Sequence, residues 1–233
     1  MNRIRLVALP LRWKWPLAIL GASLYASAYT FASTAPFFNV RSLSLTSIDQ
    51  AIPLIPWTVF IYLSDYCLFL VLLMMLRTAR EITETFLSFS LAATFTYVIF
   101  LLYPTLYPRN MTAISPYWDP IFAWLWAFDP PTNCFPSLHV SMSVLGALLV
   151  KPKRLSLRIA LWAWVIGIVI STLTTKQHYA ADVIGGLIIA LAGQKLGKVV
   201  EIADPTSKAE DKIVPAAKDT TAAPPSDRSA GAF

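Results

Sequence analysis

Six apolar stretches, at roughly 16–37, 57–76, 86–104, 134–150, 157–175 and 179–198, set the limits on what this chain of 233 residues can become. A helix rises about 1.5 Å per residue, so about 20 residues cover the ~30 Å hydrocarbon core of a bilayer. In lipid, backbone N–H and C=O groups must be satisfied internally, which makes such stretches helices. The fourth and fifth are shorter than the rest, and their ends are expected to extend into flanking residues. Composition agrees: 56% of residues are hydrophobic and 14% charged, against about 25% charged in a soluble domain. That balance excludes a disordered chain and argues against a water-soluble domain. The expected fold is all-α, a polytopic membrane bundle of about six transmembrane helices.

The basic residues set the expected orientation. Of the 19 Lys and Arg, all but Arg41, Arg109 and Lys176 fall in residues 1–15, 77–85, 151–158 and the tail from 195 on. With six spans these four places share one side, and the positive-inside rule makes that side cytoplasmic, together with both termini. The connections 38–56, 105–133 and 176–178 then face the periplasm, the exterior or a lumen. The net charge of +6 is thus a topology signal. No basic stripe with interleaved aromatics points to a nucleic-acid partner. The expected organisation is a cytoplasmic segment 1–15, a membrane domain 16–200 and a disordered cytoplasmic tail 201–233 rich in Pro, Ala, Ser, Thr and Lys. The whole would be a multi-pass protein of the cell or inner membrane. Ala26-Ser27-Ala28 after a charged start also resembles a signal-peptide cleavage site, although the apolar run continues to Phe38, as a retained span would.

The 105–133 connection carries Trp118, Trp124, Trp126, Tyr117 and Phe128, residue types that favour the headgroup layer. Pro120 and Pro130-Pro131 bracket an expected interfacial helix, read either as a surface anchor or as a lid beside a site. Cys67 reads as a small hydrophobe; a disulfide to Cys134 is open on an oxidising face.

Ionisable groups in or beside spans are expensive and point to function. Here they gather at the outer ends of the third to sixth spans, around Arg109, Ser137, His139, Ser171, Lys176, His178 and Asp182. His178 and Asp182 are four residues apart and share a helix face. A carboxylate beside an imidazole fixes its tautomer, leaving a nucleophile or proton carrier. Pro136 suits a first helical turn, where free N–H groups and the Ser137 hydroxyl can hold an anion. Arg109 offers a planar fork for phosphate oxygens and Lys176 a point charge. His139, about one turn deeper, is placed to protonate a leaving oxygen.

Each piece has a plainer reading. HxxxD alone can be a helix-stabilising contact, PSxH alone a helix start, and Arg109 alone an interfacial snorkeller. Two His and an Asp can hold a metal, but PSLH and HYAAD lack a zinc spacing. No metal or other cofactor is expected. Asp65, inside the second span, needs a partner, either a structural hydrogen bond or a role in a substrate or proton path.

Taken together, Pro136-Ser137-Leu138-His139 and Ser171-Thr172 followed after five residues by His178 and Asp182 resemble the second and third motifs, PSGH and SRxxxxxHxxxD, of the type 2 phosphatidic acid phosphatase superfamily. Arg109 in YPTLYPRN is what remains of the first motif, KxxxxxxRP. The resemblance covers roughly residues 40–195. It implies six membrane helices and metal-independent phosphoryl transfer: His178 attacks phosphorus and forms a phosphohistidine, Asp182 orients it, His139 protonates the departing alcohol, and Arg109, Ser137 and helix-end amides hold phosphate oxygens. The first-motif lysine falls on Leu102, Asn110 replaces the proline after Arg109, and the third-motif arginine falls on Thr172. Lys176 is the expected stand-in for one missing cation. The PSLH variant is similar to the inositol phosphorylceramide synthase branch, which moves phospho-headgroups between lipids.

The expected partner is therefore a phosphorylated lipid among membrane lipids, and the leading activity a lipid phosphate phosphatase, with a headgroup transferase next. A transporter using Asp65 in a proton path and an inactive scaffold complete the alternatives.

Overall fold

The computed structural model describes residues 5–34, 37–109 and 114–203. The expected disordered tail beyond residue 203, and Asn110, lie outside the described residues. The first long helix, α1 (Lys14–Thr34), leads to a loop containing the short helix α2 (Ser47–Ala51). The next long segment runs from Pro56 to Met75 as a 3-10 turn, α3 (Val59–Leu63) and α4 (Asp65–Met75). It breaks at Ser64, whose hydroxyl donates to the Ile61 carbonyl and accepts from the Trp164 indole. Then follow α5 (Ala79–Leu102), the surface helix α6 (Asp119–Phe128), α7 (Leu138–Leu149), α8 (Leu155–Thr174) and α9 (Ala180–Val199). This is an all-α membrane bundle. Helix α6 fills the place expected of the aromatic interfacial helix.

One expectation needs correction. Among the described residues, four segments are both long and apolar enough to cross a bilayer: Pro56–Met75, α5, α8 and α9. Helix α1, with 21 residues, has the length, but its Ser, Thr and Tyr residues dilute its apolar character. The stretch 134–150 does not span as one helix. Ser137 caps α7 by accepting from the Val140 N–H, so Cys134–Pro136 stay outside the helix, and Pro136 precedes the cap rather than occupying the first turn. The twelve residues of α7 reach about 18 Å. The shortfall is tolerable because α7 is the core of the bundle, with Leu138 and Val140–Ala147 all buried. Its ends are lined by protein, not lipid. The two cysteines are free, with Cys67 exposed on α4 and Cys134 buried.

Contacts fix the directions. Helices α7 and α9 run parallel, Val140 against Gly186 and Leu145 against Gly193, while α5 runs against them, Ser88 beside Gly197 and Ala92 beside Gly193. A Cβ on Gly186 would lie 2.8 Å from the Ser137 carbonyl oxygen and 2.9 Å from Val140 Cβ. The missing side chain is what lets the start of α7 meet α9. The connections before α7 and between α8 and α9 therefore share one end, called here the head end. The Leu76–Thr78 and Val150–Arg154 connections lie at the other. Two short parallel pairings tie the ends: β1 (Arg5–Val7) with β4 (Glu201–Ala203) at the far end, and β2 (Arg41–Ser42) with β3 (Thr105–Leu106) at the head. Residues 201–203 are thus a paired strand rather than the start of a loose tail.

Candidate active site

The turn between α8 and α9 builds one half of the site. Lys176 sits at φ 55°, in the left-handed region. The reversal there lets both the Gln177 and His178 N–H groups donate back to the Thr172 carbonyl, at 3.1 and 3.2 Å. Asp182, in the first turn of α9, accepts from the Tyr179 N–H at 2.9 Å and stands 3.1 Å from His178 Nδ1. The Cys134 carbonyl oxygen is also 3.1 Å from Nδ1. Two acceptors at one ring nitrogen assign the proton to Nδ1. Nε2 is left with its lone pair. His178 is buried apart from the part of it on a cavity wall.

Helix α2 straps this turn. Asp49 Oδ1 accepts from the Ala180 N–H at 2.7 Å, and Oδ2 accepts from the Thr46 N–H and hydroxyl. Burial would raise the Asp49 carboxyl, but these hydrogen bonds and Lys176 hold it below its ordinary value. Lys176 Nζ donates to the Asp49 and Ile52 carbonyls, at 2.8 and 2.5 Å.

His139 has a different kind of support. Its ring lies against the Tyr62 ring, centroids 4.3 Å apart, and its Nδ1 is 3.2 Å from the Tyr62 hydroxyl. That hydroxyl donates to Asp129 Oδ2, and the Tyr29 hydroxyl donates to Asp129 Oδ1 at 2.6 Å. Since Tyr62 gives its proton to the carboxylate, its oxygen accepts from His139 Nδ1–H. Nε2 is again left for chemistry. Burial pushes the Asp129 carboxyl up, yet His139, the two phenols and Arg109 bring it below its ordinary value, so it stays a carboxylate.

The other expected site residues separate. Arg109 joins the pair: it lines the same cavity, donates through Nη1 to the Asp129 carbonyl at 2.7 Å and through Nη2 to Gln177 Oε1 at 2.6 Å, and lies over the Trp126 ring at 5.4 Å. Its Nε has no partner among the described residues. Burial lowers its basicity and Asp129 opposes this. Asp65 also lines the cavity. Lys176 does not: its ammonium is turned onto α2, because the left-handed turn sends the side chain away from the histidines. Ser137 caps α7 as an acceptor, and the buried Ser171 hydroxyl donates to the Ile168 carbonyl. Thr172 is buried, its hydroxyl donating to the Val169 carbonyl, and Leu102 faces outward. Among the described residues, Arg109 is the one Lys or Arg on the cavity wall, and no group of three His, Cys, Asp or Glu is arranged to hold a metal.

Sequence reasoning missed Asp129, Tyr62, Tyr29, Gln177 and Asp49. Asp129 carried a usable signal, an acid between an aromatic helix and Pro130-Pro131. The two tyrosines carried none, since aromatic residues at bilayer depth are common.

The His139 and His178 rings face one another at 6.1 Å between centroids, 61° apart in plane, at the head of a cavity of about 840 Å³. A family model of the PAP2 superfamily matches residues 34–196. The chain belongs to the PAP2 superfamily. No curated protein and no solved structure matches it. Membership makes the chain a membrane enzyme of phosphoryl transfer, a phosphatase or phosphotransferase in kind. The PAP2 match begins at the last residue of α1 and ends inside α9. It takes in both histidines, Asp182, Arg109, Asp129 and Tyr62, but not Tyr29.

Proposed function

We propose that this PAP2 protein acts on lipid phosphate esters through a phosphohistidine on His178, at the non-cytoplasmic face of the membrane. The observation that carries the reading is the opposed pair of histidines, each held at Nδ1 with Nε2 left over, closing the polar end of a cavity with apolar walls. His178 Nε2 attacks phosphorus and the bond from phosphorus to the lipid oxygen breaks; His139, protonated beforehand, gives its Nε2 proton to that oxygen. In the second step His139 takes a proton from water, the water oxygen bonds to phosphorus and the phosphorus–nitrogen bond breaks. Inorganic phosphate leaves and His178 is restored. Asp182 stabilises the charge that grows on His178. Arg109, with donors unspent, neutralises the phosphoryl oxygens. Lys176, turned onto α2, is left out of phosphate binding, whereas Ser137, which only accepts as the cap of α7, keeps its hydroxyl proton for a phosphoryl oxygen beside the amides at the start of that helix.

The position of the site fits the non-cytoplasmic assignment. The head end carries Arg41, Arg109 and Lys176, whereas Arg77, Arg80, Lys151, Lys153 and Arg154 lie toward the other end, which the positive-inside rule makes cytoplasmic. Residues 1–15 would then be a cytoplasmic segment, 16–200 the membrane domain and 201–233 a cytoplasmic tail.

Hydrolysis is the leading reaction. The second reading is transfer of the phospho-headgroup to a lipid alcohol, favoured by the likeness of Pro136-Ser137-Leu138-His139 to the inositol phosphorylceramide synthase branch. Purified chain given a phosphorylated lipid, alone and with an acceptor alcohol, separates the two. Free phosphate supports hydrolysis and a new headgroup lipid supports transfer. Turnover that survives His178→Ala overturns both.

A further inference from the structure

The cavity beneath the histidines is walled by α1 on one side and by α4, α5 and α7 on the other. Helix α1 is the loose wall. Ala32 is its one buried residue. Its packing partner in the bundle is α5, with Tyr25 edge to face on Tyr97 at 5.8 Å and the Tyr97 hydroxyl donating to the Tyr25 carbonyl. The flank open to lipid is therefore the gap between α1 and α4. Across the cavity, α1 is fastened at its two ends. At the foot, Lys14 Nζ donates to the Leu76 carbonyl at 3.2 Å. At the head, the Tyr29 hydroxyl donates to Asp129 Oδ1 at 2.6 Å, and Asn133 Nδ2 donates to the Ser33 hydroxyl at 3.1 Å. Helices in lipid are held by packing and interhelical hydrogen bonds, without a hydrophobic drive. A helix fastened at its ends and along one neighbour is the wall that can move.

One of the head fastenings is also part of the acid. Asp129 takes one phenol on each oxygen, Tyr29 on Oδ1 and Tyr62 on Oδ2, and the Tyr62 oxygen in turn holds His139 Nδ1. Without Tyr29, Oδ1 loses its donor and the carboxylate is free to turn. Tyr62 then loses its fixed acceptor, and the His139 ring loses the partner that aims Nε2. Tyr29 lies before the residues 34–196 that match the PAP2 superfamily, so membership assigns it no role.

We propose that Tyr29 is a positioning residue that couples closure of α1 over the bound lipid chain to the proton donor His139. The proposal rests on the reading of the cavity as the lipid phosphate site and of His139 as the acid, and adds regulation to it. A lipid enters through the gap between α1 and α4 while α1 leans away on its α5 contact. The hydrocarbon chain fills the cavity and offers α1 an apolar face to close on. Tyr29 then meets Asp129, and Tyr62 and His139 fall into line. Contacts made by the remote chain are thus used at the reacting centre, and a substrate without the chain loses kcat as well as affinity.

The test compares a long-chain alkyl phosphate with a short, water-soluble one on the full chain in detergent. Both have an alkyl leaving group that needs a proton. In wild type, saturating kcat for the long chain should exceed that for the short one by about tenfold or more. In Tyr29→Phe the ratio should fall to near one; a merely structural role would slow both substrates alike and leave the ratio standing. A second measurement needs no turnover. In a His178→Ala chain, spin labels on native Cys67, exposed on α4, and on an added Ser27→Cys at an exposed position of α1 report the gap between the two helices, while Cys134 is buried. The long-chain phosphate should shorten and narrow the distance distribution, the short one should not, and adding Tyr29→Phe should restore the broad distribution. A ratio near one in an active wild-type chain, or a distance that the long-chain phosphate leaves unmoved, overturns the proposal whether or not the phenylalanine variant folds. So does a ratio or a closure that persists in a folded Tyr29→Phe chain. Silence on both substrates with closure that depends on Tyr29 rejects the reaction and keeps Tyr29 as the latch of α1. Turnover without chain dependence rejects the latch and keeps the reaction.

Discussion

His178 and His139 face each other across the same cavity, yet they are held in opposite ways. His178 is fixed by its own neighbourhood, the Thr172–Asp182 turn, with the Cys134 carbonyl and the α2 strap closing in from outside. His139 is fixed at a distance: Tyr62 comes from α3, Asp129 from beyond α6, and Tyr29 from α1. The first arrangement is rigid because few residues of chain separate its members. The second depends on three elements keeping their relative positions. In a phosphoryl-transfer pair this division suits the tasks, since a nucleophile needs one fixed line of attack whereas a proton donor must serve the leaving group and then water.

The comparison breaks most plainly at its strongest point. His178→Ala should cut phosphate release on the order of 10⁴-fold or more, measured with a phosphorylated lipid under single-turnover conditions. Comparable activity in the variant would remove the nucleophile assignment. His139→Ala should cost about 10²- to 10⁴-fold, with a larger loss for lipid alcohols than for aryl phosphates, whose leaving groups need no proton. Equal losses on the two substrate types would strip His139 of its role as acid.

The long-range half is sharpened by Asp129→Asn and Tyr62→Phe, each expected to lower turnover about 10- to 100-fold, as changes in supporting residues do. If they act through His139, the loss shrinks toward one for aryl phosphates. A loss independent of leaving group would mean that they merely hold the fold.

The strap on the other histidine makes a smaller contribution. Asp49→Asn weakens the bond to the Ala180 N–H and should cost about 1 kcal/mol of stability. Because the folded Asp49 and Asp129 carboxyls are held below their ordinary values, their stabilising contributions are complete above about pH 4. They fade as pH falls through those depressed values. Melting curves in detergent should therefore show wild type and Asp49→Asn separated at pH 7 and converging as pH falls through the depressed Asp49 value. The smallest effect is expected for Lys176→Met, with kcat and KM within about threefold of wild type, since the ammonium sits on carbonyl groups of α2 and desolvation lowers its basicity. A large rise in KM would return Lys176 to phosphate binding.

The pattern of what could be read in advance follows the same division. The apolar runs, the HxxxD pair and the PSLH start are local, and each places its residues through helix geometry alone. The sequence did not indicate that Lys176 turns to α2, because a left-handed backbone at a lysine leaves no compositional trace. Nor did it indicate that Ser137 accepts as a cap, a role that any serine before a helix can take. That the stretch 134–150 does not extend but shortens to α7 was hidden, because a core helix and a membrane span share the same apolar composition.

What the chain determined by itself was its solvent and its chemistry: sparse charge committed it to lipid, and two histidines with their motif neighbours committed it to the PAP2 superfamily. What the tertiary structure decided was which polar groups meet. Asp129 reaches His139 through a tyrosine 67 positions away in sequence, and Asp65 comes to face a cavity walled by four helices. Helical periodicity fixes neighbours only within a turn or two, whereas partners separated by tens of residues are selected by how whole helices pack.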